Sequence, residues 1–366
     1  MKARKGKTPV RLGIIGCGVI SGSHLKLAAG CPEAEVVAVA DLIPEKANAR
    51  AKEFGIPTVY FNDTDLINDP RVEAVILAMP VADRTPVAFK ALRHGKHVLL
   101  EKPVAAKASD VKRMMAMRNG RTIGCCSSRM TFTRYAEAAA KCVASGALGK
   151  IRMVRIRAII EAGATPAWNP PPPWRQSMAL NGGGILVNWS CYDLDYMMFV
   201  TGWQLRPRVA LAHWWRPGAK MADRVAPGSD ADAHYVALID CADDVVLSME
   251  RAEMAATTSD QAWEIIGTEG ALHMPLLPPG DKPHAIVLDR FAPGKGVVSK
   301  TIWSEENSPS TGDVDSDFVH AIRTGTEPRT SLKQALLMQN ITDAIYASAA
   351  KGRSVAVGTV KLGGAR

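Results

Sequence analysis

Three features that commonly define a class of protein are missing from this sequence. It has no run of about 18 apolar residues, so it offers no candidate for a membrane-spanning helix. Its seven cysteines are scattered without a Cys-x-x-Cys pair, which argues against a disulfide framework or a structural zinc site and favours a reducing cytoplasm. The formal net charge is +9, but no basic helix is interleaved with aromatic residues. We therefore expect no metal, membrane or nucleic-acid partner.

Length and composition predict two ordinary globular domains. The 366 residues exceed what one hydrophobic core usually serves. The hydrophobic fraction of 47% and the charged fraction of 22% are typical of folded, soluble chains. Residues 1–7 are basic, but the apolar stretch that follows is short and broken by glycine, so they are interpreted as a solvated arm rather than a signal peptide.

In the first third of the chain, apolar strands alternate with helices. Apolar runs at 10–15, 36–40, 72–79 and 97–100 are separated by segments with helical spacing at 19–30, 45–54 and 84–94. Strands that are apolar throughout indicate a parallel sheet covered on both faces. We predict an α/β, doubly wound Rossmann domain over residues 8–129.

The pattern changes after about residue 130. Residues 151–159 alternate basic and apolar side chains, as expected for a strand with one solvated face. Further strand-like runs at 233–239, 245–250 and 285–288 are separated by turns, and a helix is predicted over 332–351, before Gly352. The pattern predicts an α+β domain with a mostly antiparallel sheet over residues 130–358.

A glycine loop joins the first strand to the first helix. Gly16 permits a tight turn, and Gly18 lets a pyrophosphate approach the backbone, where the unpaired N–H groups of the helix start can bind it. Val19 and Ile20 continue the loop into that helix. Asp41 ends the second strand, where an acidic side chain binds the adenosine ribose and repels a 2′-phosphate. The loop predicts NAD binding, with NADP disfavoured; the alternative is a helix-capping turn without a ligand.

Glu101-Lys102-Pro103 follows a strand, and together with the glycine loop it resembles the glucose–fructose oxidoreductase, inositol dehydrogenase and rhizopine catabolism (Gfo/Idh/MocA) family. The resemblance continues through Arg129, Trp174-Arg175, residues 182–184 and residues 352–355, so it covers nearly the whole chain. It implies hydride transfer to or from a carbinol carbon of a sugar, cyclitol or polyol. It also implies a C-terminal domain with a large open sheet that lines the substrate cleft and supports a homodimer or homotetramer.

Lys102 is the first candidate catalytic residue. Ligands of open α/β sheets bind beyond the carboxyl ends of the strands, where Lys102 stands. A lysine near a nicotinamide can hold a substrate hydroxyl and help to move its proton. The alternative is a surface lysine in a turn. The resemblance places Pro80, Glu101, Lys102 and Arg129 on the cofactor side of the site.

A second motif departs from the family pattern of an aspartate followed, four residues later, by a histidine. Asn188 stands in place of the aspartate, Tyr192 in place of the histidine, and the later aspartate is retained as Asp195. On a helix these three positions share one face. Tyrosine has a reference pKa of about 10 and needs a nearby positive charge to act as a base, which Lys102 or the nicotinamide could supply. We predict that Tyr192 is catalytic; the alternative is a tyrosine that only lines the pocket.

The substrate side is completed by predicted contacts from Asn188, Asp195, Arg175 and Trp174. Trp168, Trp214 and Trp215 are further candidates for stacking on a sugar face, although tryptophans are more often core residues. After the third predicted strand, Met79-Pro80-Val81 and Arg84 replace the Thr-Pro-Asn and later histidine that are frequent in the family, so cofactor contacts there rest on the main chain.

Three functions are compatible with these motifs. The leading interpretation is an NAD-dependent oxidoreductase that acts on a CH–OH group of a sugar, cyclitol or polyol. The second is a glycoside hydrolase or lyase that oxidises the sugar transiently and recycles its NAD. The third is a non-catalytic regulator that senses a dinucleotide, which the retained Lys102 argues against.

Overall fold

The computed structural model describes residues 8–163, 172–277, 284–305 and 310–362. The chain divides into two units. The first contains the residues through Ser127 together with 312–335, and the second contains Ser128–Thr311 and the residues from Leu336 onward.

Parallel strands alternate with helices through the first part of the chain. The elements are β1 (Val10–Ile15), α1 (Val19–Gly30), β2 (Ala34–Ala40), α2 (Pro44–Phe54), β3 (Thr58–Tyr60), α3 (Asp63–Asn68), β4 (Ala74–Leu77), α4 (Val81–Arg93), β5 (His97–Leu100), α5 (Ala108–Met117) and β6 (Ile123–Cys125). The strand order is β3-β2-β1-β4-β5-β6, and every neighbouring pair is parallel. This is the strand order of a Rossmann domain, which confirms the predicted fold of the first part.

The strands of this sheet are covered on both faces. All four residues of β4 are fully buried, and because successive side chains of a strand point to opposite faces, both faces must be shielded from water. The order of the strands reverses between β1 and β4, so a crevice for a ligand opens beyond their carboxyl ends. The short strand β3 was not predicted, since its three residues carry no continuous apolar run.

From residue 126 onward the chain forms a different kind of structure. The 3₁₀ helices are Cys126–Thr131 and Ala219–Arg224. The other elements are α6 (Arg134–Ala144), β7 (Ile151–Glu161), α7 (Met178–Asn181), α8 (Ile185–Val200), β8 (Pro207–Trp215), β9 (His234–Cys241), β10 (Val246–Ala255), β11 (Asp260–Gly267), β12 (Gly270–His273), β13 (His284–Ala292), β14 (Gly296–Glu305), α9 (Val314–Thr324), α10 (Leu332–Lys351) and β15 (Val355–Ala356).

The second unit is built on a nine-stranded sheet with the order β14-β13-β12-β11-β7-β10-β9-β8-β15. Only the pair β7 and β10 is parallel among these strands. Helix α8 packs against β9 and β10, and α6 packs against β13 and β14. The predicted α+β domain with a large, mostly antiparallel sheet is confirmed.

The other face of this sheet carries exposed side chains. Residues along β9 alternate between buried and outward-facing positions, as expected for a sheet with one covered face. Several large apolar side chains lie on the outward positions, among them Leu211 (52% exposed), Leu238 (50%) and Trp215 (45%).

The division of the chain differs from the predicted boundaries of 8–129 and 130–358. Residues 312–335, expected in the second domain, belong to the first unit, where α9 packs against α1, β5 and β6. Phe318 of α9 is fully buried against β6, and a Cβ added to Gly124 would lie 3.1 Å from its ring. This return of the chain depends on contacts between distant segments, which local periodicity does not reveal.

No helix among the described residues is long and apolar enough to cross a membrane. The seven cysteines are all described, and each is a free thiol.

Candidate active site

The glycine loop begins with Gly16, a position at which any other residue would be strained. Gly16 has a φ of +95°, and a Cβ added to it would lie 2.6 Å from the carbonyl oxygen of Ala78. Real Cβ atoms do not approach a backbone atom that closely. Gly16 therefore lets β1 turn directly beside the end of β4.

Gly18 forms the N-cap of α1 and leaves open space beside the backbone. Nothing lies within 4 Å of a Cβ built on Gly18, and no side chain caps the helix. Val19 is 93% exposed, so the first turn is accessible. Ser21, in the third position of the glycine pattern, is buried and donates a hydrogen bond to the Gly18 carbonyl over 2.6 Å. The first turn thus offers uncapped N–H groups to a phosphate, and the loop fits a dinucleotide.

Asp41 lies beside the glycine loop. Its Oδ2 accepts a hydrogen bond from the backbone N–H of Cys17 over 2.7 Å, and its Oδ1 accepts one from Ile43 N over 2.9 Å. Burial and the negative charge of Asp41 raise the pKa of the Cys17 thiol to about 12, against the weaker influence of Arg50. The thiol is therefore neutral, and the carboxylate braces the loop.

The end of β4 is tied to the residues after β5 by a buried arginine. Arg84, on α4, is 2% exposed and donates hydrogen bonds to the carbonyl oxygens of Met79 and Pro103. Pro80 is the N-cap of α4. The Met79-Pro80 segment therefore presents its backbone at the carboxyl end of the sheet, next to the strand that leads to Lys102.

Glu101 anchors the backbone of Lys102. The Glu101 side chain is buried, and its Oε2 accepts a hydrogen bond from the Lys102 N–H over 2.9 Å. Its Oε1 lies 3.1 Å from Nε2 of His24, whose Nδ1 lies 3.0 Å from both carboxylate oxygens of Asp315. The structure thus gives Glu101 an internal contact, and its predicted role on the cofactor side stays a prediction.

His24 carries a positive charge in this cluster. Burial opposes that charge, but hydrogen bonds and the charge of Asp315, with further hydrogen bonds to Cys126 and Glu101, outweigh it and raise the pKa of His24 well above its usual value. His24, Glu101 and Cys126 also bring potential metal ligands within 4.8 Å of one another. A metal ligand must be unprotonated, so this set fits an ion pair better than a metal site. Neither His24 nor Asp315 was predicted, because they lie 291 residues apart and match no motif.

In the second unit, Asn188 and Tyr192 lie on α8, as predicted, and both are 5% exposed. The Asn188 side chain donates a hydrogen bond to the carbonyl oxygen of Arg175 over 2.9 Å and accepts one from Asn181 over 3.0 Å. The amide is therefore fixed in one orientation. Asn181 was not identified from the sequence.

Arg129 donates a hydrogen bond from Nη1 to the phenolic oxygen of Tyr192 over 2.8 Å. Its guanidinium carbon lies 6.0 Å from the centre of the tyrosine ring. The edge of Trp189 packs against the same ring, with 5.8 Å between the ring centres. Arg129, which was predicted on the cofactor side, thus places a positive charge beside the phenolic oxygen of Tyr192 within the second unit.

The remaining predicted substrate residues differ in their surroundings. The Arg175 guanidinium forms two hydrogen bonds with Glu253, over 3.2 and 2.6 Å, and Gln176 donates to the same carboxylate over 2.6 Å. Trp174 is 37% exposed, whereas Asp195 is 1% exposed on α8. Trp214 and Trp215 end β8, and Trp168 lies outside the described residues.

Two family models match most of this chain. Residues 10–123 match the family model described as "Oxidoreductase family, NAD-binding Rossmann fold", and residues 136–273 match the "GFO/IDH/MocA C-terminal domain". The chain is 30% identical over 272 residues to a dTDP-3,4-didehydro-2,6-dideoxy-alpha-D-glucose 3-reductase of Streptomyces violaceoruber, covering 72% of each chain. It is 27% identical over 287 residues to the levoglucosan dehydrogenase of Pseudarthrobacter phenanthrenivorans, covering 72% of this chain and 73% of the relative.

A solved structure of a levoglucosan dehydrogenase in complex with NADH and levoglucosan has the same fold. It superposes with a TM-score of 0.81 at 23% identity, over 96% of this chain and 100% of that one. The two family matches cover most of the chain, and the glycine loop of the first unit fits the dinucleotide that they imply. The family that the sequence resembles is thereby confirmed: the chain belongs to the GFO/IDH/MocA oxidoreductases and is an NAD-binding member of that family.

Proposed function

We propose that this protein is an NAD-dependent dehydrogenase that interconverts an alcohol and a carbonyl group at one carbon of a sugar, cyclitol or related polyol. The observation that carries the proposal is the position of Lys102 after β5, in the same unit as the glycine loop, with its backbone held by Glu101. The relatives support this substrate class, since their names describe a sugar-nucleotide reductase and a levoglucosan dehydrogenase.

The cofactor would be held by the first unit. Gly16 permits the tight turn of the loop, and Gly18 leaves room for the pyrophosphate. The N–H groups at the start of α1 bind its charge, and Asp41 selects NAD over NADP through the ribose. Val19, Ile20 and Pro80 contribute backbone at the same end of the sheet. When bound, NAD supplies the acceptor or donor of the hydride that leaves or reaches the carbinol carbon.

The substrate would be held and deprotonated by side chains of this chain. Lys102 donates a hydrogen bond to the reacting hydroxyl and lowers the barrier to removal of its proton. Tyr192 accepts that proton in the direction of oxidation and returns it in the direction of reduction. Asn188, Asp195, Arg175 and Trp174 shape and orient the substrate side, with Arg175 acting through its fixed pair with Glu253.

Two further properties belong to the proposal. Exposed apolar side chains on the outer face of the nine-stranded sheet favour a homo-oligomer, with two or four copies of the chain. A cytoplasmic location is favoured by the seven cysteines, all of which are free thiols.

The function is tested with purified protein, NAD⁺ and a panel of sugars, cyclitols and their glycosides. We expect NADH to accumulate with at least one free polyol, and Lys102→Ala to reduce that rate by about a hundredfold or more. Cleavage of a glycoside without accumulation of NADH would instead favour the hydrolase or lyase. Tight binding of NADH without turnover of any compound, and with identical behaviour of Lys102→Ala, would favour the regulator.

A further inference from the structure

Tyr192 lies against a permanent positive charge. The guanidinium of Arg129 donates to the phenolic oxygen over 2.8 Å. An arginine side chain stays protonated at every accessible pH, so it cannot accept a proton in place of the tyrosine. The contact therefore places a fixed charge and a hydrogen bond on the atom that becomes negative when Tyr192 ionises.

The burial of Tyr192 makes this charge necessary. A phenol that is 5% exposed loses most of the water that would solvate its anion, and burial alone opposes ionisation. A cation in direct contact favours ionisation, and the same low dielectric strengthens that attraction. Removing the cation would take away this favourable contribution, while the unfavourable effect of burial would remain.

The charge of Arg251, a buried arginine of this unit, is already matched by a carboxylate. Arg251 lies over the ring of Trp189, 5.1 Å from its centre, but its charge is matched by Asp193 through hydrogen bonds of 2.8 and 3.0 Å. Asp195 follows Tyr192 by one helical turn, and a carboxylate there opposes the anion. Asn188 precedes it by one turn and is neutral, so that side adds no second negative charge.

We propose that Arg129 is a positioning residue that stabilises the tyrosinate form of Tyr192 and so makes this tyrosine an effective base. The inference rests on the proposed function. During oxidation the substrate O–H bond breaks and its proton bonds to the Tyr192 oxygen, while the carbinol C–H bond gives its hydrogen and electron pair to NAD⁺ and a carbonyl forms. Arg129 remains protonated throughout and holds the phenolic oxygen in place.

The ionisation of Tyr192 can be measured without turnover. The ultraviolet absorbance of tyrosinate is followed against pH for the wild type and for Tyr192→Phe, and the difference reports Tyr192. The pKa of each of the other five tyrosines is raised, with burial as the largest cause, whereas Arg129 contacts the phenolic oxygen of Tyr192, so we expect Tyr192 to ionise first. The other five are Tyr60, Tyr135, Tyr196, Tyr235 and Tyr346.

Replacing Arg129 should raise the ionisation midpoint of Tyr192. We expect Arg129→Met to raise it by about 1 to 3 pH units, and Arg129→Lys, which keeps the charge, to restore most of the difference. Arg206→Met, which removes an exposed arginine paired with Asp243, serves as the control and should leave the midpoint unchanged. An unchanged midpoint in Arg129→Met, with the fold intact by circular dichroism, would overturn the inference.

The dependence of kcat/KM on pH separates this inference from the proposed function. With an active substrate, Arg129→Met should displace the limb that reports the base to higher pH by the same amount as the spectroscopic midpoint. Turnover with no displacement of that limb would refute the role of Arg129 while leaving the dehydrogenase intact. Absence of turnover with every compound would refute the proposed function. The spectroscopic titration would still test whether Arg129 favours ionisation of Tyr192.

Discussion

Lys102 owes its position to a buried chain of charges. Its N–H is bound by Glu101, Glu101 is bound by His24, and His24 is bound by Asp315 from the distant helix α9. Two buried carboxylates would repel each other without the cation between them. Lys102 and Glu101, which were identified from the sequence, are therefore held in place by His24 and Asp315, which were not.

Substitution of His24 tests this chain of charges. Because the pKa of His24 is raised in the folded protein, its contribution to stability is fully present below its ordinary pKa of about 6.5 and is lost as the pH rises through the folded value. His24→Gln leaves the carboxylates unpaired and should lower the free energy of unfolding by about 3–5 kcal/mol near neutral pH. The measurement is denaturant unfolding at about pH 6 and about pH 9, where the difference from the wild type should shrink at the higher pH.

The matched control for His24 is His94, an exposed histidine of the same unit. His94 follows α4, and its Nδ1 donates a hydrogen bond to the Lys90 carbonyl oxygen. His94→Gln should change the free energy of unfolding by less than about 0.5 kcal/mol. Equal effects of the two substitutions would show that the buried ion pair is not the source of the stability.

The charge of Asp41 is expected to govern the choice of dinucleotide. Asp41→Asn keeps an acceptor oxygen for one of the two N–H groups that Asp41 binds, but it loses the charge that repels a 2′-phosphate. The ratio of NADPH to NADH affinity should rise on the order of tenfold, which corresponds to about 1.4 kcal/mol. Calorimetric titration of both cofactors measures this ratio, and an unchanged ratio would argue against a ribose contact.

At the scale of the element, the turn between β1 and α1 contains one glycine that the fold requires, Gly16, and one that we expect cofactor binding to require, Gly18. Gly16 meets the Ala78 backbone and has a positive φ, whereas Gly18 faces open space with a φ of −73°. The two glycines are only two positions apart, but a side chain would be unfavourable at each for a different physical reason.

Alanine should therefore affect stability at the first position and cofactor binding at the second. Gly16→Ala should destabilise the fold by about 1–3 kcal/mol or more, since it adds backbone strain to a steric clash. Gly18→Ala should keep the melting temperature of the wild type and weaken NADH binding, because its Cβ occupies space that the pyrophosphate needs. Thermal unfolding and NADH titration test both; a destabilised Gly18→Ala that still binds NADH normally would refute the assignment.

Elements with their own local signal were predictable, and those defined by distant contacts were not. The helices 19–30 and 332–351 were predicted with the observed bounds, because glycine lies at both ends of the first helix and Gly352 directly follows the second. The helix predicted over 84–94 begins earlier, at Val81, where Pro80 precedes its first turn. Tyr192 and Asn188 were located on their helix, but Arg129 could not be connected to Tyr192, since 63 residues separate them.

At the scale of the whole molecule, the sequence predicts two domains correctly in kind but not in their boundaries. The motifs of the first unit lie together in the chain and could be identified from local patterns. The return of 312–335 to that unit depends on the packing of Phe318, which looks like any other apolar helical residue in sequence. Contacts between distant segments that complete a domain therefore cannot be predicted from local sequence patterns.

The outer face of the nine-stranded sheet is the expected surface for assembly. Leu211 on β8 pairs directly with Leu238 on β9, and both are at least half exposed. If copies of the chain associate through this face, Leu238→Lys should shift the protein to monomers because it places a charge in an apolar contact. Sedimentation velocity measures the change. Leu180→Lys, an exposed leucine on α7, is the control and should keep the assembly of the wild type.

The central claim is that this chain moves hydrogen between a carbinol carbon and NAD with the help of Lys102. It is tested most directly with a polyol deuterated at the reacting carbon, by mass spectrometry of the cofactor after incubation with NAD⁺. We predict that deuterated NADH accumulates with the wild type and that Lys102→Ala abolishes the transfer. The claim would be contradicted if NAD⁺ binds to the wild type but acquires no deuterium from any deuterated sugar, cyclitol or polyol tested.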